Sequence, residues 1–462
     1  MEDFEKQELL DTVKRAKEAV NAISDYSQKQ IDEIVKAIGR VFCDNAEILA
    51  REAVEETKFG DFDMKIVKHT NLAKYHWWYL KDKASVGCIS EDKEKQMKIY
   101  AKPVGVVACI TPATNPTETV LGIGMCTMKC GNALIACPHP SAKKVSNHGV
   151  ELVRGVLSKF GAPVDLFQSI IEPSIEKSKF LMSICDIVSA VGGFGMVKSA
   201  YSSGRPSLGV GQGNVQTIVD KGYPEKWEDC AIQTIIARSS DNGMVCTGDQ
   251  CLHIHKDEVA DVLKVFEKKG AYVVPEEKIP EIRKALFDKL PDGGYKVSTK
   301  IIGKSAAELA AIFNLDAPPD TEIFLLKVTQ TAPEEILCRE KMCRMTCYLP
   351  YETFEEGVAH AVANLVVEGV GHTCCLYTEN EAHIDYFAKA VPVVRANING
   401  AGNLGGGNNF FSGIHPTISL GCGTWGNNSV SDNINYMHFM NTTKVIMKMK
   451  NPYIPTEDEI WS

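Results

Sequence analysis

The residue whose setting best suits nucleophilic chemistry is Cys246. It lies in the segment SSDNGMVCTGDQ, after a turn-prone Asp241-Asn242-Gly243 and before Thr247-Gly248. A cysteine on such a glycine-flanked turn can be reached by a ligand. A free thiol has a pKa of about 8.5, so the site must supply a base or lower that pKa to form the thiolate. The pattern therefore predicts a nucleophile, against the alternative of one more structural cysteine among 16.

Asn115 is the first candidate partner of this thiol. It lies in ITPATNP, where Thr111-Pro112 ends an apolar strand and Asn115 falls in the following turn. Parallel sheets bind ligands at the ends of their strands, and an amide there can donate to a developing oxyanion. The alternative is that Asn115 only caps the next helix.

Two glycine-rich stretches could bring the backbone close to a cofactor. AVGGFGMV places Gly192, Gly193 and Gly195 between a strand and a helix, and SLGVGQGNVQ contains Gly209 and Gly211. Neither stretch has the GxGxxG spacing of a dinucleotide fingerprint, so tight strand-to-helix turns are an equal alternative.

The other cysteines do not form a metal pattern. Cys338, Cys343 and Cys347 are spaced by five and four residues, Cys374 and Cys375 are adjacent, and no CxxC pair repeats. Most lie in apolar, strand-like surroundings, so we expect buried cysteines that pack as small hydrophobes and no metal site.

The bulk properties describe an ordinary globular protein that carries excess negative charge. The 462 residues exceed one ordinary core, and the net charge of −9 makes nucleic acid and anionic membrane poor partners. No apolar run reaches the roughly 18 to 20 residues of a membrane span, and the charged N-terminus lacks the apolar stretch of a signal peptide. We therefore expect a cytoplasmic location and reduced cysteines.

The order of elements predicts an α/β fold with two doubly wound domains and a small hairpin. The chain to about Val67 is helical in pattern, with Ile31, Ile34, Val35, Ile38 and Val41 on one face. From Lys102 onwards, short apolar strands alternate with helices, first in VGVVACIT, NALIACP, DIVSAV and NVQTIV, and then in CLHIH, EIFLLKV and TCCLYT. Such alternation is typical of doubly wound parallel sheets.

These patterns divide the chain into three parts. We expect a dinucleotide-binding domain over 1–223, a catalytic domain with the nucleophile over 224–420, and a return to the first domain over 421–462. The charged hairpin at about 85–105 suits subunit contact, with a plain surface hairpin as the alternative.

Seven motifs occur in an order that resembles the CoA-acylating branch of the aldehyde dehydrogenase superfamily. They are ITPATNP, AVGGFGMV, GVGQGNVQ, DNGMVCTGDQ, REKM, VEGVGHT and LGCGTWGNNSVSDN. The resemblance runs from about residue 10 to the end and is strongest to CoA-dependent succinate semialdehyde dehydrogenases. It also extends to the dehydrogenase half of aldehyde-alcohol dehydrogenases, without the iron-dependent domain. It implies the aldehyde dehydrogenase fold, NAD or NADP as cofactor, coenzyme A as co-substrate, and a homodimer or homotetramer assembled through the hairpin and the tail after Met440.

The resemblance also implies residue roles. Cys246 matches the nucleophile, Asn115 the oxyanion donor, and His372 the histidine beside the nucleophile and the incoming thiol. It places Thr111, Pro112 and Gly193 along the dinucleotide, Glu340 at the hydroxyls of the nicotinamide ribose, and Leu420 beside the nicotinamide. We also expect cofactor contacts from His139, after the strand NALIACP, and from Gly211, in the second glycine-rich stretch.

Two of these roles have ordinary alternatives. His372, between Gly371 and Thr373, could be a plain loop histidine. Glu340, among Arg339, Lys341 and Arg344, could belong to a surface ion-pair network.

The acyl acceptor is inferred from a missing acid. Water-using relatives carry a glutamate in a Glu-Leu-Gly-Gly stretch, whereas this chain has Gly209-Val210-Gly211-Gln212, with Gly209 in the place of the glutamate. A thioester at Cys246 would then wait for coenzyme A. The alternative is a hydrolytic aldehyde dehydrogenase.

The aldehyde and the cofactor remain open at this level. Arg238 and Ser240, in the polar ARSSDN segment, could meet a carboxylate or sulfonate of the substrate, or Arg238 could lie on the outer face of its helix. Succinate semialdehyde is the first choice, followed by sulfoacetaldehyde and acetaldehyde. His139, Ser141, Lys143 and Lys144 follow the strand NALIACP without an acid, so NAD and NADP both fit.

Overall fold

The computed structural model describes residues 1–291 and 293–462. Four helices lead the chain, and their bounds are α1 (Asp3–Ala22), α2 (Gln28–Asp44), α3 (Ala46–Thr57) and α4 (Phe62–Leu80). Helix α2 starts with a capping box in which Ser27 and Gln30 satisfy each other's backbone amides. Its apolar face is buried at Ile31, Ile34, Val35 and Ile38, as the spacing predicts.

The first sheet has five parallel strands in the order β5-β4-β3-β6-β7. Its elements are β3 (Val106–Thr111), α5 (Pro116–Lys129), β4 (Ala133–Pro138), α6 (Lys143–Lys159), β5 (Phe167–Ser169), α7 (Ile175–Ile184), β6 (Ile187–Val191), α8 (Phe194–Tyr201) and β7 (Ser207–Val210). Strand order reverses at β3, whose neighbours are β4 and β6. The crevice beyond the carboxyl ends of β3 and β6 is therefore the topological switch point where doubly wound sheets bind ligands.

The second sheet has seven parallel strands in the order β10-β13-β14-β9-β8-β15-β16. Its elements and the small pair β11–β12 are β8 (Val215–Val219), α9 (Pro224–Ser239), β9 (Asp249–His255), α10 (Val259–Lys268), β10 (Ala271–Val273), α11 (Ile279–Leu286), β11 (Phe287–Lys289), β12 (Tyr295–Val297), α12 (Ala306–Phe313), β13 (Ile323–Lys327), β14 (Met345–Tyr351), α13 (Phe354–Val367), β15 (Gly371–Tyr377), α14 (Glu381–Ala390) and β16 (Val393–Ile398).

The border between the two units lies earlier than the sequence indicated. The segment NVQTIV forms β8, which pairs with β9 and β15 of the second sheet. The change of sheet therefore falls in the connection 211–214 and not at residue 223. An apolar strand carries no mark of which sheet it joins, because its partners are fixed by tertiary pairing.

A third, antiparallel sheet joins distant parts of the chain. The hairpin of β1 (Gly87–Asp92) and β2 (Met97–Pro103) is extended by β17 (Met440–Ile446), and a last helix α15 spans Glu457–Trp461. Just before β17, Ile434, Tyr436 and Phe439 pack into the core of the first unit. The segment that precedes β17 thus packs on the first unit.

Thirteen of the 16 cysteines are buried, and Cys43 and Cys246 are half-buried while Cys88 is exposed. Buried thiols pack as small hydrophobes, in agreement with the sequence interpretation. Among the described residues, the helices are all too short or too polar to cross a membrane.

Candidate active site

The proposed nucleophile and its neighbours lie at the amino edge of the seven-stranded sheet. Cys246 precedes β9, Gly213 precedes β8 and His372 lies at the start of β15. These three strands are adjacent and parallel in the order β9-β8-β15. Their amino ends therefore bring together residues that are more than 150 positions apart in the chain.

Gly213 shows how closely this edge is packed. A Cβ atom built on Gly213 would lie 2.1 Å from the carbonyl oxygen of Cys246 and 3.3 Å from Cε1 of His372. Gly213 itself is buried. The glycine allows the connection from β7 to β8 to pass between the thiol-bearing loop and the imidazole.

The guanidinium of Arg238 fixes the loop that carries Cys246 through hydrogen bonds to two of its carbonyl groups. This side chain is completely buried at the end of α9 and donates from Nη2 to the carbonyl of Gly243 and from Nη1 to that of Gly248, at 3.3 Å for the latter. This placement excludes the outer face of the helix, and it shows that the guanidinium braces the nucleophile loop. A contact between Arg238 and the substrate stays a prediction.

Ser240 is half-buried where α9 ends. Its hydroxyl donates to the carbonyl of Ile236 at 2.6 Å. The oxygen lone pairs remain able to accept, so its role toward the substrate stays a prediction.

Asn115 lies at the first turn of α5 and is half-buried. It occupies the N-cap position, yet the described part of the chain shows no capping hydrogen bond from its side chain. Its Oδ1 instead accepts from Nζ of Lys68 at 2.7 Å, while Nδ2 has only a 3.4 Å contact with Oγ1 of Thr114. The alternative of a simple helix cap is therefore wrong.

The sequence interpretation missed the ion cluster behind Asn115. The buried carboxylate of Asp241 accepts from Nζ of Lys68 at 2.5 Å, from Nζ of Lys65 at 3.2 Å and from the amide of Asp61 at 2.8 Å. Burial opposes its charged form, but the ammonium groups of Lys68 and Lys65 outweigh burial and lower the pKa of Asp241 to about 2. Asp241 was visible in the sequence only as a turn former, although Lys65 and Lys68 sit one helical turn apart.

Five of the seven predicted cofactor residues, Thr111, Pro112, His139, Gly193 and Gly211, lie at the carboxyl edge of the five-stranded sheet. Thr111 ends β3, Gly193 begins α8 after the neighbouring β6, and the amide of His139, after β4, donates to the carbonyl of Thr111 at 3.0 Å. Pro112 is half-buried beside them and His139 is exposed.

This edge fits a dinucleotide. The buried Oγ1 of Thr111 lacks a partner among the described residues, and a Cβ atom on Gly193 or Gly211 would meet no described heavy atom within 4 Å. A free hydroxyl and open backbone at a switch point are what a cofactor needs there.

Glu340 is buried rather than part of a surface network. It is 5% exposed, and its amide donates to Oε2 of Glu368 at 2.8 Å. Burial and the neighbouring Glu368 raise the pKa of Glu340 to about 8, although hydrogen bonds from the Gly213 backbone and Gln212 favour its charged form. The surface alternative is therefore wrong, and the carboxyl lies next to the Gly213 connection.

Burial also controls the protonation of the two central groups. It raises the pKa of Cys246 to about 12, with a further increase from Glu340, while Arg395 and Lys68 act in the opposite direction. Burial lowers the pKa of His372 to about 3. Both groups are uncharged at neutral pH in this state, so the thiol must lose its proton when substrates bind.

His372 is a strand residue and not a loop histidine. It is completely buried, its Nδ1 lies 3.0 Å from Oγ1 of Thr373, and its Nε2 has no partner within the described chain. A buried ring nitrogen without a partner is costly unless a ligand uses it.

Leu420 is 4% exposed in the loop behind His372. Its carbonyl accepts from Sγ of Cys422 at 3.3 Å, and the carbonyl of Gly421 accepts from Arg395 at 2.9 Å. A Cβ atom on Gly371 would lie 2.1 Å from the carbonyl oxygen of Cys422. The loop that contains Leu420 is thus fixed against the start of β15.

The structure shows that Gly209, where the sequence places the missing glutamate, is not a position from which a side chain would reach Cys246. A Cβ atom on Gly209 would lie 2.8 Å from the ring of Tyr201 and 2.9 Å from Val197. A side chain at Gly209 would therefore point into α8 and not toward Cys246, because strand residues alternate between faces. Among the glycines of 207–214, Gly213 lies against Cys246, and it also carries no acid.

Comparison with known proteins agrees with these features. The profile of the aldehyde dehydrogenase family matches residues 1–275. A succinate-semialdehyde dehydrogenase (acetylating) of Clostridium kluyveri is 42% identical over 450 residues, which cover 97% of this chain and 98% of that protein. A sulfoacetaldehyde dehydrogenase of Acholeplasma sp is 35% identical, with 98% and 93% covered. The crystal structure of an acetylating aldehyde dehydrogenase from Geobacillus thermoglucosidasius superposes with a TM-score of 0.91 at 29% identity, over 99% of this chain and 100% of that one.

Proposed function

The chain belongs to the aldehyde dehydrogenase family, in its acylating branch, and on that premise we propose that it converts a short anionic aldehyde into its acyl-CoA through a thioester on Cys246. The observation that carries the proposal is Gly213, which lies against both Cys246 and His372. Gly213 thus contributes no side chain that could activate water beside the nucleophile, and the imidazole of His372, whose Nε2 has no partner among the described residues, lies next to it.

In the first half of the reaction, the thiolate of Cys246 attacks the aldehyde carbon. The resulting oxyanion accepts hydrogen bonds from Nδ2 of Asn115 and from the amide of Cys246. A bound nicotinamide cofactor, NAD or NADP, supplies the acceptor for the hydride that leaves this carbon. The residues that would hold the cofactor are Thr111, Pro112, His139, Gly193, Gly211, Glu340 and Leu420.

In the second half, the sulfur of coenzyme A attacks the thioester carbonyl. The bond to Sγ of Cys246 breaks, the Cys246 thiolate leaves, and the acyl group departs as acyl-CoA. Nε2 of His372 receives the proton of the incoming thiol when Nδ1 donates to Thr373. Burial disfavours the imidazolium, so His372 holds this proton only transiently.

Pre-steady-state absorbance of the reduced nicotinamide tests the proposal. With aldehyde and cofactor alone, we expect about one equivalent of reduced cofactor per active site, and steady turnover when coenzyme A is added. Desulfo-coenzyme A, which lacks the thiol, is the matched control and should leave the reaction stalled. Linear turnover to free carboxylic acid without coenzyme A would return the chain to the hydrolytic class.

Succinate semialdehyde is the proposed substrate, with sulfoacetaldehyde and acetaldehyde as the next candidates. The similar proteins from Clostridium kluyveri and Acholeplasma are named for aldehydes that carry an anionic group. Ser240 and the buried Arg238 are the candidate groups that would meet this anion. A panel of aldehydes with coenzyme A and each cofactor ranks the three substrates by kcat/KM.

We also propose a homodimer or homotetramer. The β1–β2–β17 sheet and the tail that follows expose large apolar side chains, including Ile446, Tyr453, Ile454 and Trp461, of which Trp461 is 80% exposed. Large apolar side chains exposed in this number are typical of a protein contact. A monomeric mass in solution at micromolar concentration would contradict the assembly.

A further inference from the structure

We propose that Lys68 positions the oxyanion donor, because it fixes which end of the Asn115 amide faces the substrate. This inference rests on the proposed acylation chemistry and adds a residue of the N-terminal helices to it. The observations that carry it are the two hydrogen bonds of the Lys68 ammonium, to Asn115 and to Asp241.

The chemistry of the two groups makes the orientation unambiguous. A side-chain amide has one accepting and one donating end of nearly equal shape, so packing alone does not select between them. An ammonium group is a donor only. Since Nζ of Lys68 is 2.7 Å from Oδ1 of Asn115, the amide must turn Nδ2 away from Lys68. Without this ammonium, the amide could rotate by half a turn and present an acceptor to the negatively charged oxygen.

Lys68 is itself held in place by a buried, charge-balanced cluster. Asp241 binds Lys65 and Lys68 together, and Lys65 also donates to the carbonyl of Thr114 at 3.1 Å. The charge of buried Glu118 acts on both lysines. Two ammonium and two carboxylate groups thus offset each other, which a buried cluster requires.

The same cluster links the two halves of the catalytic centre. Asp241 precedes Cys246 by five residues on the nucleophile loop, whereas Asn115 follows β3 of the other sheet. The carboxylate of Asp241 therefore fixes the position of the oxyanion donor relative to the nucleophile loop. Lys68, which is 19% exposed at its side chain, is the bridge between them.

The test is a double-mutant cycle between Lys68 and Asn115, read as the rate of the first turnover without coenzyme A. Lys68→Met should slow this rate by about a hundredfold, as misplaced or lost oxyanion donors do. In an Asn115→Ala background the same change should cost less than about threefold, because the amide that Lys68 orients is gone. Lys74→Met, at an exposed lysine of the same helix, is the matched control and should leave the rate unchanged.

A second variant separates orientation from charge and protects the test against misfolding. Lys68→Gln keeps a donor for Oδ1 of Asn115 without the charge, and should retain a rate within about tenfold of the wild type. An equal cost of the Lys68 substitution with and without Asn115, or a Lys68→Met rate that matches Lys74→Met, would overturn the proposal. A wild-type protein without any burst would instead contradict the proposed function, and it would be seen before any variant is made.

Discussion

The two edges that meet at this site differ in how fully they are built. At the amino edge of the seven-stranded sheet, a single added carbon on Gly213 or Gly371 would lie 2.1 Å from a backbone carbonyl oxygen. At the carboxyl edge of the five-stranded sheet, the same carbon on Gly193, or on Gly211 just beyond it, would meet no described heavy atom within 4 Å.

The two edges therefore differ in how closely their backbone is already packed against the rest of the protein. The groups that form and break bonds are fixed by Arg238, Gly213 and the Asp241 cluster, so little rearrangement is needed at the moment of reaction. The cofactor edge keeps open backbone and a free hydroxyl on Thr111. Substitutions should therefore act on chemistry at the first edge and on binding at the second.

Cys246→Ala should separate the two edges most strongly. Removal of the nucleophile should lower aldehyde oxidation by on the order of 10⁴-fold or more, since no covalent intermediate can form. Cofactor affinity, measured by calorimetry, should stay unchanged because that edge is untouched. Coenzyme A-dependent activity above background would refute the assignment of the nucleophile.

Gly213→Ala and Gly211→Ala compare the edges directly. The new carbon at Gly213 would collide with the Cys246 carbonyl, which should cost about 1–3 kcal/mol of stability and about a hundredfold in the first turnover. The carbon at Gly211 meets no described atom, so with saturating cofactor it should leave stability and the first-turnover rate unchanged and act only on cofactor binding. Thermal unfolding and stopped-flow absorbance measure both quantities, and equal effects of the two substitutions would contradict the difference between the edges.

Arg238→Met tests whether the arginine braces the loop or meets substrate. The loss of two buried hydrogen bonds to Gly243 and Gly248 should cost about 2–4 kcal/mol in the free energy of unfolding. The ratio of KM values for succinate semialdehyde and acetaldehyde should not change. A selective rise in KM for the anionic aldehyde would show contact with substrate instead.

The pH dependence of stability tests the buried carboxyl beside the Gly213 connection. Glu340 has a folded-state pKa of about 8, raised by burial from its ordinary value of 4.5. Between these values the unfolded chain binds fewer protons than the folded one, so this group's contribution falls as pH rises from about 4.5 to about 8. Glu340→Gln should remove that part of the decline in melting temperature, while Glu381→Gln, at an exposed carboxylate, should not. A wild-type decline that persists in Glu340→Gln would count against the buried state.

The local pattern of apolar residues predicted many of the helices and strands of this fold. The strand candidates VGVVACIT, NALIACP and DIVSAV form β3, β4 and β6, and the buried face of α2 follows its helical spacing. Such periodicity survives because each element must bury one face wherever it packs. The strand NVQTIV shows the limit, since its pattern was right and its sheet was not.

The sequence by itself determined which residue types were available for chemistry and the family to which their order belongs. Tertiary structure alone decided that Asp241 joins Lys65 and Lys68, that Arg238 turns inward, and that Gly213 rather than Gly209 contacts Cys246. The contacts of Asp241 with Lys65 and Lys68 and of Gly213 with Cys246 join segments that are distant in the chain, so they are set by tertiary packing and not by residue pattern. The local sequence shows that a charged residue or a glycine is present at Asp241 or Gly213. It does not show which residue of another strand or helix will contact it after the sheets pack.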